Sequence, residues 1–265
     1  MIDITSYEMK SNNKFEPPVV SIILAVRNSE TYLGDCIDSI VKQKYRDWEL
    51  IIVVNSSTDQ SLDIALKFQS IDRRIKVLQS DIGQLNFNLN LGLQSARGKL
   101  IARIDADDIL CVDRLQIQVP LMKNYDVVGS VAELIDANSN VIGTSSVPQY
   151  NNQIRKKIFY RYVLSHPTVM IKKEILLAAG GYQGGQFCED FDLWLRLMRN
   201  SKVKFHNIQR PLIKYRIHSH QMSSAKVGYP YVASYLFREA FFSNTIRYGI
   251  GSFIYLSKFL LTRKI

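Results

Sequence analysis

Four short, almost uninterrupted apolar runs, at Val19–Val26, Trp48–Val54, Ile75–Leu78 and Leu100–Ile104, constrain this chain more than any other feature. Runs this short without polar alternation read as strands buried on both faces, as in parallel sheets. Helical patterns lie between them. Tyr32, Leu33, Cys36, Ile37, Ile40 and Val41 recur at 3–4 spacing behind a cap expected at Asn28 or Ser29. Leu62, Ala65, Leu66 and Phe68 begin a second helix, and Leu85–Ala96 makes a third despite Gly92. This alternation predicts an α/β fold with a mostly parallel, Rossmann-like central sheet and helices on both faces. It breaks after Asp126. Val127–Asp136, a turn at 137–140 and Val141–Thr144 read as a hairpin. A basic helix around 154–160, a strand at Val169–Ile171 and helices at Glu174–Ala179 and 191–199 follow.

The fourth run delivers the chain to Asp105, Asp107 and Asp108, ahead of a helix expected over Val112–Met122. In open α/β sheets, ligands bind at that carboxyl edge. Carboxylates this close repel one another unless a cation or protons relieve them. An oxygen-seeking divalent ion, Mg²⁺ or Mn²⁺, supplies the relief. The alternative is that Asp107 or Asp108 caps the next helix. A second candidate site is the glycine-rich stretch Gly180–Gly185 leading to Glu189, Asp190 and Asp192. Neither a Gly-x-Gly-x-x-Gly fingerprint nor a Walker loop follows the first strand, so a nucleotide here is held by side chains and metal.

The net charge of +10 suggests an anionic partner. Residues 226–265 carry Lys226, Arg238, Arg247, Lys258, Arg263 and Lys264 against Glu239 alone, half of that excess. Such concentration in the tail argues against nucleic acid. Cys36, Cys111 and Cys188 have no metal-like spacing and fit a reducing, cytoplasmic setting. The first sixteen residues do not resemble a signal peptide. Ile250–Leu261 is too short to span a bilayer but suits a helix lying in a membrane interface. The alternative is a helix packed on its own domain or on a second subunit.

The motifs Val19-Val20-Ser21-Ile22-Ile23-Leu24, Glu49–Val54, Ser57-Thr58-Asp59, Asn90-Leu91-Gly92, Ala102–Asp108, Ser165–Met170, Gly180-Gly181-Tyr182, Glu189–Leu197 and Tyr215-Arg216-Ile217-His218 resemble family 2 glycosyltransferases of the GT-A fold. They occur in that family's order across residues 19–224. The resemblance implies that Asp105 and Asp107, flanking Ala106, hold the donor ribose and the diphosphate-bound metal. It implies that Asp190, preceded by Glu189, is the general base of an inverting transfer, and that His218 contacts metal or diphosphate. Gly181 and Tyr182 belong to the stretch that lines donor sugar and acceptor in the family. Ala25-Val26-Arg27-Asn28 stands where the family has Pro-Val-Tyr-Asn, so Arg27 replaces an aromatic residue beside the base. Asn55 is the nearest substitute for the aspartate that reads uracil, which leaves UDP-, GDP- and dTDP-sugars open.

The resemblance thus implies an N-terminal tail (1–18), a nucleotide-sugar half (19–110), an acceptor half (111–224) and a basic, apolar helical C-terminal extension (225–265). The expected activity is metal-dependent, inverting transfer to a glycan or lipid-linked hydroxyl in cell-surface polysaccharide synthesis. The rival reading is a sugar-nucleotide or glycan-binding protein that keeps the fold without transfer, and Arg27 and Asn55 permit it. A nucleotidyltransferase fits less well, for it needs a glycine-rich basic loop where Arg27-Asn28-Ser29 stands.

Overall fold

A computed structural model describes residues 16–185, 187–218, 228–243 and 245–262; most of the expected N-terminal tail falls outside them. The alternation read from the sequence is present as β1 (Val20–Val26), α1 (Glu30–Val41), β2 (Trp48–Asn55), α2 (Ser61–Ile71), β3 (Ile75–Ser80), α3 (Leu85–Ser95) and β4 (Leu100–Ile104). Then come β5 (Ile109–Leu110), α4 (Arg114–Leu121), β6 (Val127–Ser130), β7 (Glu133–Ile135), β8 (Val141–Thr144) and α5 (Asn151–Lys157). A 3₁₀ turn at His166–Thr168 leads to β9 (Met170–Lys172), α6 (Lys173–Ala178), α7 (Glu189–Met198), β10 (Phe205–Ile208) and β11 (Ile213–Arg216). Two helices, α8 (Gly228–Ser243) and α9 (Ile246–Thr262), close the chain.

Among the described residues the strands form a seven-stranded sheet, ordered β10-β6-β9-β4-β1-β2-β3, and a four-stranded one, β5-β11-β7-β8. In the larger sheet only β9 runs antiparallel to its neighbours. Both faces of its central strands are buried, as the nearly unbroken apolar runs require. Ile22 and Leu24 of β1 join Leu33 and Ile37 of α1, whereas Ile23 joins Leu89 of α3 and Phe191 of α7. The chain passes from β3 back across the sheet to β4, so the strand order reverses beside β1. A crevice therefore opens at the carboxyl ends of β1 and β4, and the register places Leu24 opposite Ile104 there.

Three local expectations change. Val127–Asp136 is not one strand: β6 enters the large sheet between β9 and β10, and after a break at Val131-Ala132 β7 pairs with β8 in the small one. The hairpin is thus confined to residues 133–144. Neither Asn28 nor Ser29 caps α1 through its side chain. The Glu30 N–H is instead taken by Asp59 Oδ2 at 2.9 Å; Asn28 adopts a left-handed backbone (φ 48°) and commits its side-chain Oδ1 to the Thr58 N–H. Neither Asp107 nor Asp108 caps the following helix, since α4 starts only at Arg114 behind Asp113.

The C-terminal helices share the core of the larger sheet, where Val232, Leu236 and Tyr255 join Ile23, Phe191 and Trp194. Buried acids fix them in place. Arg238 bonds Asp192 of α7 at 2.6 Å, and Arg199 bonds Glu239 of α8 at 2.7 Å.

Gly92 is explained by the closeness of α3 to the sheet. A Cβ there would lie 2.6 Å from Ile23 Cγ2. Gly→Ala inside a helix ordinarily stabilises by about 1 kcal/mol, but overpacking a core costs typically 1–3 kcal/mol. Gly92→Ala should therefore lower the urea midpoint, with a net loss of roughly 1 kcal/mol; a raised midpoint would show that α3 can shift freely.

Candidate active site

The crevice opens into a cleft of about 1400 Å³. One end is built by the loops after β1 and β2, which are laced together. Besides the Asn28–Thr58 bond, Asn28 N–H donates to Ser57 Oγ at 3.1 Å, Ser29 N–H to Ser61 Oγ at 2.8 Å, and Gln60 N–H to Glu30 Oε2 at 2.9 Å. Ala25, Arg27, Asn28 and Asn55 line this end. Asn55 is buried at the end of β2 and its Oδ1 accepts no hydrogen bond among the described residues. Asn88, from α3, shares this wall. It donates to the Ile82 and Gln84 carbonyls at 2.9 and 2.7 Å, yet its own buried Oδ1 is also unpaired.

The turn after β4 forms the floor. Carboxylate oxygens of Asp105, Asp107 and Asp108 lie within 4.8 Å of one another. They are not equivalent. Arg103, only 5 % exposed on β4, forms a two-pronged ion pair with Asp105. Burial pushes the Asp105 carboxyl up; Arg103 opposes that shift and the charge of Asp107 adds to it. Asp108 is fully buried; its Oδ1 accepts the Arg216 N–H at 2.9 Å and its Oδ2 has no partner among the described residues. Burial, then Asp105 and Asp107, push its carboxyl well above the usual carboxylate range. Asp107 is left facing His218, with Oδ2 and Nε2 3.0 Å apart.

That spacing bears on the expected metal. Two neighbouring ligands of an octahedral ion with bonds of about 2.1 Å are themselves separated by about 3 Å. The Asp107–His218 pair thus fits two positions of such an ion, whereas Asp105 is engaged by Arg103 and Asp108 by the backbone. Arg216 holds the pair in place. Its side chain donates to the Asp107 carbonyl at 2.9 Å, to the carbonyls of Asp136 and Ala137 and to Ser139 Oγ, and its guanidinium lies 4.2 Å from the Tyr32 ring centre.

Glu189 and Asp190 enter the same cleft from the start of α7. Cys188 turns the chain there in a left-handed conformation (φ 61°), and Asp190 Oδ1 accepts the Phe191 N–H at 2.7 Å. The N-cap position is Cys188, which makes no side-chain cap bond, so Asp190 is the second residue of α7 and not its cap, and it sits half-buried on the cleft wall. Burial raises both carboxyls. Glu189 is pushed up to about 7 by burial and by the charge of Asp190, with Arg103 pulling the other way. Asp190 is raised by burial, against its bond to Phe191 and the field of Arg103. Behind them His166 Nδ1 lies 3.7 Å from Glu189 Oε1. Burial and Arg103 hold that imidazole well below its ordinary value, so it is neutral near pH 7.

The cleft therefore gathers Ala25, Arg27, Asn28 and Asn55 with Asp105, Ala106 and Asp107, and also takes in Glu189, Asp190 and His218. Gly181 and Tyr182 do not line it. Gly181 (φ +69°) ends α6, and Tyr182 is buried beside His166 with both backbone polar groups held by the Asn90 side chain at 2.7 and 2.8 Å. A Cβ on Gly181 would meet Asn90 Oδ1 at 2.5 Å, so close packing accounts for the glycine, and only Gly184 and Gly185 of this stretch reach the cleft.

Residues 21–177 match the sequence profile described as Glycosyl transferase family 2. The chain belongs to glycosyl transferase family 2. The O-antigen biosynthesis glycosyltransferase WbnJ of Escherichia coli is 34% identical over 247 residues, 92% of this chain and 97% of that protein. Two solved structures share the fold, each with a TM-score of 0.63. Staphylococcus aureus TarS 1–349 in complex with UDP-GlcNAc is 20% identical over 82% of this chain, and the Pyrobaculum calidifontis mannosyltransferase PcManGT in complex with GDP-Man and Mn²⁺ is 16% identical over 84%. This chain spans 66% and 64% of those two. The likeness shows the GT-A arrangement expected from the sequence.

Sequence reasoning passed over Arg103, Asn88 and Arg216 of this glycosyltransferase as individual residues. Arg103 left a signal, a charged residue inside a buried run two places before an acid.

The Glu189–Asp190 pair should leave its mark on stability. Glu189 has a folded pKa of about 7 against an ordinary 4.5, so the fold holds a proton that the unfolded chain has lost between those values. Stability contributed by this site is complete below pH 4.5 and falls as pH rises towards 7, by up to about 3 kcal/mol. Glu189→Gln should flatten the pH dependence of the urea midpoint between pH 5 and 8; an unchanged slope would contradict the burial argument.

Proposed function

We propose that this glycosyltransferase moves a sugar, with inversion, from a nucleoside-diphosphate sugar to a hydroxyl of a glycan or lipid-linked acceptor during cell-surface polysaccharide assembly, using Mn²⁺ or Mg²⁺. The observation that carries this reading is one cleft holding two kinds of acid: Asp107 paired with His218, and Glu189 with Asp190, whose carboxyls burial raises. The donor's ribose and diphosphate lie along the loops after β1 and β4, with Asp105, fixed by Arg103, towards the ribose. Asp107 and His218 are the residues that hold the ion; its positive charge, when bound, offsets charge building on the departing diphosphate. An imidazole beside a carboxylate suits a transition ion such as Mn²⁺ somewhat better than Mg²⁺.

Asp190 takes the proton from the acceptor hydroxyl as its oxygen bonds the anomeric carbon, while the bond from that carbon to the phosphate oxygen breaks. A carboxylate with a raised pKa suits that task. Arg103 opposes the rise that burial imposes on Asp190, and the neutral His166 adds no charge behind Glu189. The donor complexes of TarS and PcManGT support a nucleotide-sugar donor, and the WbnJ relationship supports polysaccharide assembly.

Thermal shift with UDP-, GDP- and dTDP-sugars, with Mn²⁺, Mg²⁺ or chelator, tests the assignment. A donor at a hundred times its Kd should stabilise by about 2.7 kcal/mol. Asp107→Ala should remove the metal-dependent part of that gain, and Asp190→Asn should keep it while transfer falls by a hundredfold or more. Normal transfer by Asp190→Asn would remove the base assignment. Donor binding by the unmodified chain without turnover on any polyprenyl- or glycan-linked acceptor would favour a binding protein.

A further inference from the structure

The hairpin of α8 and α9 is amphipathic in an unusual sense. Tyr255 faces the protein and is buried, Gly251 passes so close to Phe159 that a Cβ would lie 2.7 Å from its carbonyl oxygen, and Ser252 Oγ bonds the Ala233 carbonyl at 2.8 Å. The opposite side of α9 carries Ile246, Ile250, Phe253, Leu260 and Leu261, spaced as one helical face, with Ile246 79% and Phe253 71% exposed. On α8, Phe237 and Phe241 stack edge to face, and Phe241 is 75% exposed. An apolar face this continuous needs an occupant.

Charge identifies it. From residue 240 to the end the chain contains Arg247, Lys258, Arg263 and Lys264 and no acid. Arg247 and Lys258 are eleven residues apart, three turns of helix, and so share one flank of the apolar stripe. A symmetric pairing of two copies through the stripe would set these cationic rims beside one another. An anionic lipid surface complements them. The helix is about 25 Å long, and no helix among the described residues is long and apolar enough to cross a membrane. The geometry points to α9 lying flat in the interface of an anionic bilayer, its apolar face among the acyl chains and the exposed Arg247 at the headgroups.

The placement also suits the cleft. Lys258 Nζ donates to the Tyr160 carbonyl at 2.8 Å, and Arg161 and Tyr162, which follow directly, line the cleft with Gly228 at the start of α8. A docked hairpin sets the cleft mouth beside the bilayer, where a lipid-linked acceptor presents its sugar. Docking itself does not depend on the proposed transfer and is read without donor.

Sedimentation with vesicles tests it. The full chain should bind vesicles of phosphatidylcholine with one-third phosphatidylglycerol at low salt, at least tenfold more tightly than phosphatidylcholine alone, and should release in high salt. Ile250→Glu with Phe253→Glu should weaken binding at least tenfold, and Arg247→Glu severalfold. These side chains are exposed, so the melting temperature and the donor-induced thermal shift should stay as in the unmodified chain, which separates failure of docking from failure of the transfer reading. No binding to anionic vesicles, binding indifferent to lipid charge, or unchanged binding by the double variant would each overturn the proposal. So would light scattering showing a dimer that the double variant dissolves while vesicles bind neither form.

Discussion

A guanidinium buried at the end of β4 is what the cleft depends on. Arg103 offsets four carboxyls delivered by two distant segments, the turn after β4 and the start of α7. A buried charge without a partner costs several kcal/mol, and here the debt is mutual: Asp105 holds Arg103 in place, while Arg103 lowers Asp105, Asp108, Glu189 and Asp190 together. The sequence suggested a divalent metal as the relief for the clustered aspartates. Part of that relief is built into the strand, where Arg103 pairs with Asp105 while Asp107 faces His218.

The sheet was legible because its signal is local. β1, β2 and β4 are almost uninterrupted apolar runs, and the 3–4 spacings between them mark helices that bury one side. What stayed hidden depends on partners far along the chain. Asn28 looks like a cap until the Thr58 N–H, thirty residues on, takes its side-chain oxygen. Arg216 looks like one more cation in a strand until it is seen gripping the Asp107 carbonyl and the turn at 136–139. Gly181 and Tyr182 carry a motif's appearance, yet Asn90 ties them into packing instead of the cleft. The acids themselves were found, because a strand that ends in carboxylates and a helix that begins with them announce their positions without long-range information.

The two ends of the cleft differ in how firmly the chain commits them. At the β4 end each acid has an assigned neighbour. At the β2 end Asn55 and Asn88 keep buried carbonyl oxygens without donors. Unpaired acceptors of that kind are costly, and a base presenting N–H groups could satisfy them. The departures from the family pattern at Arg27 and Asn55 fall at this end of the cleft, away from the acids of β4 and α7. The C-terminal helices fasten to α7 through Asp192 and Glu239, so whatever their exposed face rests on is held in fixed relation to Asp190.

Anomalous diffraction at the manganese edge, from crystals grown with Mn²⁺ and a nucleoside-diphosphate sugar, tests the central claim most directly. The account predicts a single strong peak bonded to the Asp107 carboxylate, His218 Nε2 and the donor's phosphate oxygens, with Arg103 still on Asp105. Donor bound with no peak there, or an arginine or lysine side chain occupying that position against Asp107, would contradict it.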